Sequence, residues 1–334
     1  MKKYLLPEKG NFYKANLHSH STVSDGSRTP KELKEAYKAH GYSVFAYTDH
    51  EVLVDHSDLN DENFLALKGY EIAVGQTKEQ KKHLADKCCH LCLIALDPAT
   101  KNQVLWHREK FKGYADRATF DESTPDYERV YSPEGINDMI RIAREAGFFV
   151  TYNHPVWSHE TAREYLSYEG FNAMEICNYL SYSDGMDDYN PYVYDEMLRE
   201  GKRVFCVGCD DNHNRHANTF QDSFGAFTVI KAEKLDYKAI TAAMLRGDMY
   251  ASQGPLIEEL WYEDGRVHIK CTPAKKISLV TETRFCRVAY GKEGELLSEA
   301  SFDVDAKVGY FRLTVTDAEG KNANTRAYFM DVLE

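Results

Sequence analysis

The sequence lacks any long hydrophobic run. Within its 334 residues, no apolar stretch approaches the roughly 20 residues that a membrane-spanning helix requires. The first ten residues, MKKYLLPEKG, hold an apolar run that ends at Pro7 and is too short for the apolar part of a signal peptide. We therefore expect a cytoplasmic protein that does not act at a membrane.

Positive charge is also in short supply. The chain has 41 Lys and Arg residues against 53 Asp and Glu residues, which gives a formal net charge of −12. An acidic surface repels nucleic acid at long range, so we do not expect a long nucleic acid as partner. A small phosphorylated substrate or a short nucleic-acid end stays compatible with this charge, because bound cations can make one pocket positive.

The eight cysteines occur without an export signal, which predicts free thiols in a reducing compartment. Cys88, Cys89 and Cys92 lie in the apolar segment CCHLCLIAL, and Cys206 and Cys209 lie in VFCVGC. Because buried free cysteines are common in strands, we interpret these five as core residues and not as zinc or redox sites.

Short apolar runs alternate with amphipathic segments from about residue 13 to residue 230. The amphipathic segments begin with a capping residue followed by proline and end at glycine, as in TPKELKEAYKAHG, SPEGINDMIRIAREAG and NPYVYDEMLREG. The apolar runs are nearly continuous, which is typical of strands covered on both faces. This alternation predicts an α/β fold with a parallel sheet closed into a barrel.

Two stretches depart from this rhythm. Residues 97–131 are polar and irregular, and they predict an insertion or a lid over the site. After residue 254, apolar and polar residues alternate between Gly- and Asp-containing turns, which predicts a small antiparallel β-sandwich. We therefore predict a barrel over residues 1–254 and a sandwich of unknown role over residues 255–334.

Residue types that bind metal ions lie at or near the carboxyl ends of six of the first seven predicted strands. They are His18, His20, Asp49, His50, Glu71, His90, Asn153, His154, Asp210, Asp211 and His213. Strands in parallel α/β folds gather their sites at this edge, and two histidines separated by one strand residue face the same side. Imidazole and carboxylate together suit Zn, Mn, Fe or Ni better than Ca or Mg. Three such ions against three carboxylates leave a local charge of roughly +3, which favours a phosphate-bearing substrate.

The remaining histidines do not share this placement, and we interpret them as non-ligands. They are His40, His56, His83, His107, His159, His216 and His268.

The ordered motifs HSHSTVSDG, YTDH, GYEI, CHL, YNHP and CDDNH resemble those of the PHP (polymerase and histidinol phosphatase) family over about residues 3–255. The later segment LRGDMYASQGP is similar to one that closes this domain in stand-alone members. The resemblance implies a distorted (β/α)7 barrel with two or three divalent ions, which could be Mn, Fe or Zn. The segment Ser24-Asp25-Gly26 resembles that of the family branch that includes nucleotide and oligonucleotide phosphoesterases.

The same resemblance implies three sets of metal ligands. The sets are His18, His20, Glu71 and Asp211 for the first ion, Glu71, His90 and His154 for the second, and Asp25, His50 and His213 for the third. In this assignment, Glu71 bridges the first two ions.

These residues predict a metal-dependent phosphoesterase in which a metal-bound water attacks a small phosphate ester, a nucleotide or a short oligonucleotide. His50 or His213 could act as the acid that protonates the leaving group. We expect Asp49 and Asp210 to support neighbouring ligands. The candidates for phosphate contacts are Arg28, Asn153 and Arg215.

Two alternatives remain open. An amidohydrolase-like enzyme that cleaves C–N or ester bonds also begins with His-x-His on a strand, but it usually bridges its metals through a modified lysine, where this sequence offers Glu71. The second alternative is a non-catalytic, metal-stabilised module that binds a ligand through the β-sandwich. The nine intact ligand positions favour an enzyme.

Overall fold

The computed structural model describes residues 2–81, 86–114, 116–215 and 219–333, and these form a mixed α/β fold with few helices. The helices of this described part are α1 (Pro30–Ala39), α2 (Pro133–Glu145), α3 (Ala162–Tyr165), α4 (Tyr179–Ser183), α5 (Pro191–Arg199) and α6 (Tyr237–Arg246), with 3₁₀ turns at Ser57–Leu59, Lys112–Tyr114 and Met330–Val332. None of these helices has the length and apolar character needed to cross a bilayer.

The strands alternate with the helices up to residue 252 and then follow one another directly. They are β1 (Lys3–Tyr4), β2 (Asn11–Asn16), β3 (Val44–Tyr47), β4 (Leu65–Gly75), β5 (Cys88–Ala95), β6 (Phe148–Tyr152), β7 (Ala173–Asn178), β8 (Phe205–Cys209), β9 (Phe227–Ala232), β10 (Met249–Ser252), β11 (Ile257–Glu263), β12 (Arg266–Ala274), β13 (Lys276–Thr281), β14 (Arg287–Tyr290), β15 (Leu297–Asp303), β16 (Tyr310–Thr316), β17 (Asn322–Thr325) and β18 (Tyr328–Phe329).

The three predicted helices with proline at their first position are confirmed. Thr29 caps α1 in a full capping box, in which its hydroxyl accepts from the Glu32 backbone N–H at 3.2 Å and the Glu32 carboxylate accepts from the Thr29 N–H at 2.8 Å. Ser132 caps α2 through its hydroxyl alone, which accepts from the Gly135 N–H at 3.1 Å, whereas the Asn190 side chain before α5 makes no capping bond. All three helices end just before a glycine with positive φ, namely Gly41, Gly147 and Gly201.

One large sheet runs in the order β14-β13-β16-β17-β10-β9-β2-β3-β4-β5-β6-β7-β8, and β1-β11-β12-β15 form a second sheet. The strands β2, β3 and β4 are parallel, as are β6, β7 and β8. However, β5 is antiparallel to both of its neighbours, and β9 is antiparallel to β2. The prediction of a parallel sheet is therefore wrong at β5 and β9, because strands buried on both faces show the same apolar pattern in either direction.

The chain after the carboxyl end of β8 is hydrogen-bonded to the chain after the carboxyl end of β2. The His20 N–H donates to the Asn212 carbonyl at 3.0 Å, and the Asp211 N–H donates to the His18 carbonyl at 3.0 Å. These bonds form a short parallel bridge between Ser19 and Asn212. As a result, the residues that follow β2 and β8 lie side by side.

Strands on both sides of residue 254 belong to the same sheet, because β17 pairs with β10. The apolar faces of the two sheets share one core, which includes Leu260 and Ile269 from the second sheet and Phe311 and Leu313 from the large one. A buried ion pair between Arg312 of β16 and Asp195 of α5, at 2.6 Å, adds a polar contact across residue 254.

The segment 97–131 is irregular in its described part, apart from one 3₁₀ turn. It is attached to the chain that follows His50. The Gln103 amide donates to the Glu51 carbonyl at 2.8 Å, and Arg129 forms a bidentate pair with the Glu51 carboxylate at 2.6 and 2.7 Å. Arg117 also donates to the Val23 carbonyl, so the segment reaches the loop after β2.

Candidate metal centre

The Glu71 carboxylate lies at the middle of the predicted site and is 1% exposed. Five imidazoles surround it, with nearest nitrogen-to-oxygen distances of 3.0 Å for His50 and His90, 3.3 Å for His18 and His154 and 3.4 Å for His20. Burial alone would raise the pKa of Glu71, but these imidazoles, His18 foremost, hold it well below its usual value. Glu71 is therefore a buried anion in contact with five candidate metal ligands.

The first predicted set converges on one point. The Nε2 atoms of His18 and His20 are 3.2 Å apart, and the Asp211 Oδ1 atom is 3.1 and 3.0 Å from them. This buried Oδ1 atom makes no hydrogen bond among the described residues. Burial lowers the pKa of His18, but the negative charge of Asp211 and other neighbouring groups outweighs it and raises that pKa well above its usual value. The lone pairs of these two nitrogens and this oxygen are close enough together to bind one cation.

Glu175 on β7 orients His18, and sequence reasoning alone did not find it. Its Oε1 atom lies 2.7 Å from His18 Nδ1, which leaves the Nε2 lone pair free for the centre. Its Oε2 atom accepts from the His154 backbone N–H at 2.9 Å and from the Asn178 amide at 2.8 Å. The only signal in the sequence was one acidic residue inside the apolar run AMEICN.

The second predicted set surrounds Glu71 Oε1, which His90 approaches through Nδ1 and His154 through Nε2. The other ring nitrogen of His154 is 3.1 Å from the Ser158 hydroxyl, which fixes the ring. Asn153 is fully buried, and its amide donates to Glu71 Oε1 at 2.8 Å. The structure thus gives Asn153 a contact that positions Glu71, and its predicted contact with phosphate stays a prediction.

The third predicted set lies at the solvent side of the first. Asp25 Oδ1 is 3.4 Å from His213 Nε2, 3.8 Å from His50 Nε2 and 3.9 Å from His20 Nδ1. This His20 Nδ1 atom is buried and makes no hydrogen bond within the described part of the chain. Asp25 is 39% exposed, and Arg215 donates to its other oxygen at 2.6 Å. The centre is therefore open to solvent at Asp25.

Three clusters of ligand atoms result, each compact enough to hold a metal ion. They are His18, Glu71 and His154; His18, His20 and Asp211; and His20, Asp25, His50 and His213, with the ligand atoms of each cluster within 4.8 Å of one another. His90 lies outside these clusters but contacts Glu71. The donor set and the two unpartnered buried atoms, His20 Nδ1 and Asp211 Oδ1, fit divalent ions such as Zn, Mn or Fe.

Asp49 holds the loop between His20 and Asp25. Its carboxylate accepts from the backbone N–H groups of Ser21 and Ser24 at 2.7 and 3.1 Å and from both of their hydroxyls. The loop in turn places Asp25 over His20. Asp49 thus acts on the position of a predicted ligand through the backbone.

Asp210 holds a different loop, the one before β9. It is fully buried and accepts three backbone N–H groups and the Tyr37 hydroxyl, while burial raises its pKa to about 7. Asp222 has a similar role beside His213 and was not predicted. Its carboxylate accepts from the backbone N–H groups of His213 and Asn214, both at 2.8 Å.

The remaining predicted residues have the following places. The Arg28 guanidinium lies over the Phe220 ring at 5.1 Å. Among the described residues, the histidines interpreted as non-ligands stay outside the three clusters. His83 and His216 lie outside the described residues.

Trp157 lies against the ligands of the second set and was not predicted. The centroid of its ring is 5.3 Å from that of His90 and 5.1 Å from that of His154. The indole N–H donates to Asp184 at 3.2 Å, at the end of α4. Trp157 therefore joins the loop after β6 to the helix after β7.

No family model and no curated protein matches this chain. Among solved structures, the chain is similar to a two-domain protein from Bacteroides vulgatus that contains a predicted PHP-like metal-dependent phosphoesterase, with 15% identity, a TM-score of 0.47 and coverage of 98% of this chain and 97% of that one. It is similar to a candidate metal-dependent phosphoesterase from Bifidobacterium adolescentis, with 16% identity, a TM-score of 0.40 and coverage of 64% and 91%. It is also similar to an amidohydrolase from Chromobacterium violaceum with bound sulfate and no metal, with 16% identity, a TM-score of 0.37 and coverage of 62% and 89%. The description of the first names the same PHP family that the sequence motifs resemble.

Proposed function

We propose that this protein is a metal-dependent phosphoesterase that acts on a small phosphate ester, a nucleotide or a short oligonucleotide. The observation that carries the proposal is the Glu71 carboxylate, which is buried among five imidazoles where two of the predicted ligand sets join. An anion of this kind, beside ligand atoms that lack hydrogen bonds, is suited to hold divalent ions together.

Divalent ions held there would supply a water of lowered pKa and would neutralise charge on the phosphate oxygens. The chain's own residues would bind and orient the ester. Arg215 is held by Asp25 at the open side, and Arg28 follows the same loop. Both guanidiniums are suited to bind phosphate oxygens in a fork geometry.

His50 is the better of the two candidates for the acid. Its side chain is 23% exposed, whereas that of His213 is 5% exposed. A group that gives a proton to the leaving oxygen must reach the substrate, and His50 lies at the accessible side of Glu71. We therefore propose that His50, a predicted ligand at the exposed side of its cluster, donates the proton when it is not committed to a metal ion, and that His213 stays a metal ligand.

The alternative of an amidohydrolase-like enzyme has less support. The place where that class uses a modified lysine is taken here by Glu71, and Lys68 of the same strand instead pairs with Asp55 at 3.2 Å. The alternative of a non-catalytic module would not need nine intact ligand positions.

We also propose a finer description of the fold. The bridge between Ser19 and Asn212 supports a distorted barrel made of β2 to β8. The shared core of the two sheets supports a β-sandwich after residue 254. Most of the metal ligands would then lie at the carboxyl ends of the barrel strands, where such folds carry their active sites. His90 is an exception to the predicted placement, because β5 is antiparallel and brings its amino end to this side of the barrel.

The test measures metal content and phosphate release on the same samples. Metal-depleted protein is loaded with Mn, Zn or Fe and is assayed with nucleotides, short oligonucleotides, sugar phosphates, amides and carboxylic esters. We expect phosphate release in the wild type, and we expect Glu71→Gln and Asp211→Asn to lose both bound metal and activity. His268→Gln, which changes a histidine outside the clusters, should keep both. Bound metal with turnover of amides or esters alone would refute the proposal.

A further inference from the structure

We propose that a hollow beside Trp157 binds the organic part of the substrate, and that this part is a planar aromatic ring carrying N–H donors. This inference rests on the proposed phosphoesterase function and adds a second subsite to it. The hollow has a volume of about 720 Å³ and lies between two segments that follow β6 and β7. Its lining residues are Val156, His159, Tyr182, Gly185, Met186, Asp187 and Asp188.

Trp157 links the hollow to the metal centre, because its chain neighbour Val156 is in the lining of the hollow while its own ring packs on two predicted ligands. The centroid of the Trp157 ring lies 5.3 Å from that of His90 and 5.1 Å from that of His154. Its N–H donates to Asp184, which comes directly before Gly185 of the lining. A substrate whose phosphorus lies at the predicted ligands can therefore extend past one indole into the hollow.

Tyr182 provides a fixed aromatic surface in this hollow. Its side chain is 60% exposed, although its ring stacks on that of Tyr179 with centroids 5.7 Å apart and planes within 9°. Tyr179 in turn packs so closely on Gly225 that a Cβ atom there would lie 2.1 Å from the ring. An aromatic ring that is held on one face and open on the other is suited to stack on a planar ligand.

The charge of the lining decides which end of a substrate fits. Asp187 and Asp188 are both in the lining, and no lysine or arginine is among its described residues. Carboxylates disfavour a phosphate group. Asp188 already accepts from the Gln253 amide at 3.1 Å, so the exposed Asp187 is the carboxylate that would accept a hydrogen bond from an N–H donor of the ligand. The acidic hollow and the cation-binding centre therefore orient the substrate, with the phosphate at the metal ligands and the ring on Tyr182.

The test compares phenyl phosphate, 4-aminophenyl phosphate and methyl phosphate in metal-loaded enzyme. We expect Tyr182→Leu to lower kcat/KM about 3- to 10-fold for the two aryl esters, mainly through KM, because stacking is lost. The value for methyl phosphate should not change. Asp187→Asn should reduce only the advantage of the amino-substituted ester. The control is Tyr192→Leu, which removes a tyrosine that is 67% exposed on α5, away from the hollow lining.

The outcomes separate the two proposals. If the wild type releases phosphate but Tyr182→Leu behaves as Tyr192→Leu, or lowers all three substrates equally, the ring subsite is wrong while the phosphoesterase stands. If no ester is cleaved, the phosphoesterase is wrong, and the hollow is tested by itself through quenching of Trp157 fluorescence by 4-aminophenol, with Trp157→Phe as the blank. Quenching that Tyr182→Leu abolishes supports the ring subsite, and absence of quenching overturns it.

Discussion

Replacement of Glu175 by glutamine tests whether the centre depends on a residue that is not itself a predicted ligand. The Glu175 carboxylate is hydrogen-bonded to the His18 imidazole and accepts from the His154 backbone N–H and the Asn178 side-chain amide. Glutamine keeps the shape but offers one oxygen, so its NH₂ group must face at least one of these donors. If the NH₂ group faces His18, that ring loses the acceptor that fixes its tautomer; if it faces the other way, the His154 backbone N–H and the Asn178 amide both lose theirs.

The size of the effect follows from the lost contact. Removal of a carboxylate that orients a metal-binding histidine typically costs about 10- to 100-fold in metal affinity. At about 1.36 kcal/mol for each factor of ten, this is about 1.4 to 2.7 kcal/mol, which agrees with the ~1.5 to 3 kcal/mol expected for a hydrogen bond to a charged group. We therefore expect Glu175→Gln to bind Zn²⁺ about 10 to 100 times more weakly.

The assay is a competition titration of metal-depleted protein with Zn²⁺ and a chromophoric chelator. The matched control is Glu160→Gln, because Glu160 is a second buried glutamate whose carboxylate accepts from Tyr131, Tyr152 and Tyr168 and does not contact the predicted ligands. An affinity of Glu175→Gln within about twofold of the wild type and the control would refute the role given to the Glu175–His18 contact.

Three further changes have distinct expected results. Gly26→Ala places a Cβ atom 2.4 Å from the His20 carbonyl oxygen, so the loop must move, and we expect the number of bound metal ions, measured by elemental analysis, to fall; an unchanged number would contradict this. Arg312→Met leaves the Asp195 carboxylate without its buried partner and should cost about 3 to 5 kcal/mol in urea unfolding, whereas the double variant with Asp195→Asn should cost less; equal losses would show that the pair does not matter. When the free metal concentration is 100 times the Kd, addition of a chelator should lower the free energy of unfolding by about 2.7 kcal/mol. An unchanged Tm in calorimetry would show that no metal stabilises the fold.

Much of the centre could be predicted from short segments of the sequence, because most of its predicted ligands follow directly after strands, although Glu71 and His90 lie within β4 and β5. His18 and His20 are two residues apart at the end of β2, and the structure brings their Nε2 atoms together. The cap at Thr29 depends on Glu32 only three residues away. Signals of this kind are local, so the printed sequence contains them in full.

The contacts that depend on distant parts of the chain could not be predicted in this way. Glu175 resembles any acidic residue until β7 pairs with β8 and the end of β8 meets the end of β2, which brings it to His18. Trp157 is an ordinary aromatic residue until the loop after β6 folds over His90. The direction of β5 depends on pairing with β4 and β6, and a buried strand has the same apolar pattern in both directions.

The bridge between Ser19 and Asn212 also determines when the centre can form during synthesis. The first and last predicted ligands, His18 and His213, are 195 positions apart (213 − 18), and a ribosome that adds about 5 to 20 residues per second needs about 10 to 40 s to cover that distance. Until then, His18 and His20 have no Asp211 beside them. Metal loading is therefore a late event, which follows the emergence of β8 from the ribosome, and a shortage of metal during translation need not harm protein that meets the ion afterwards.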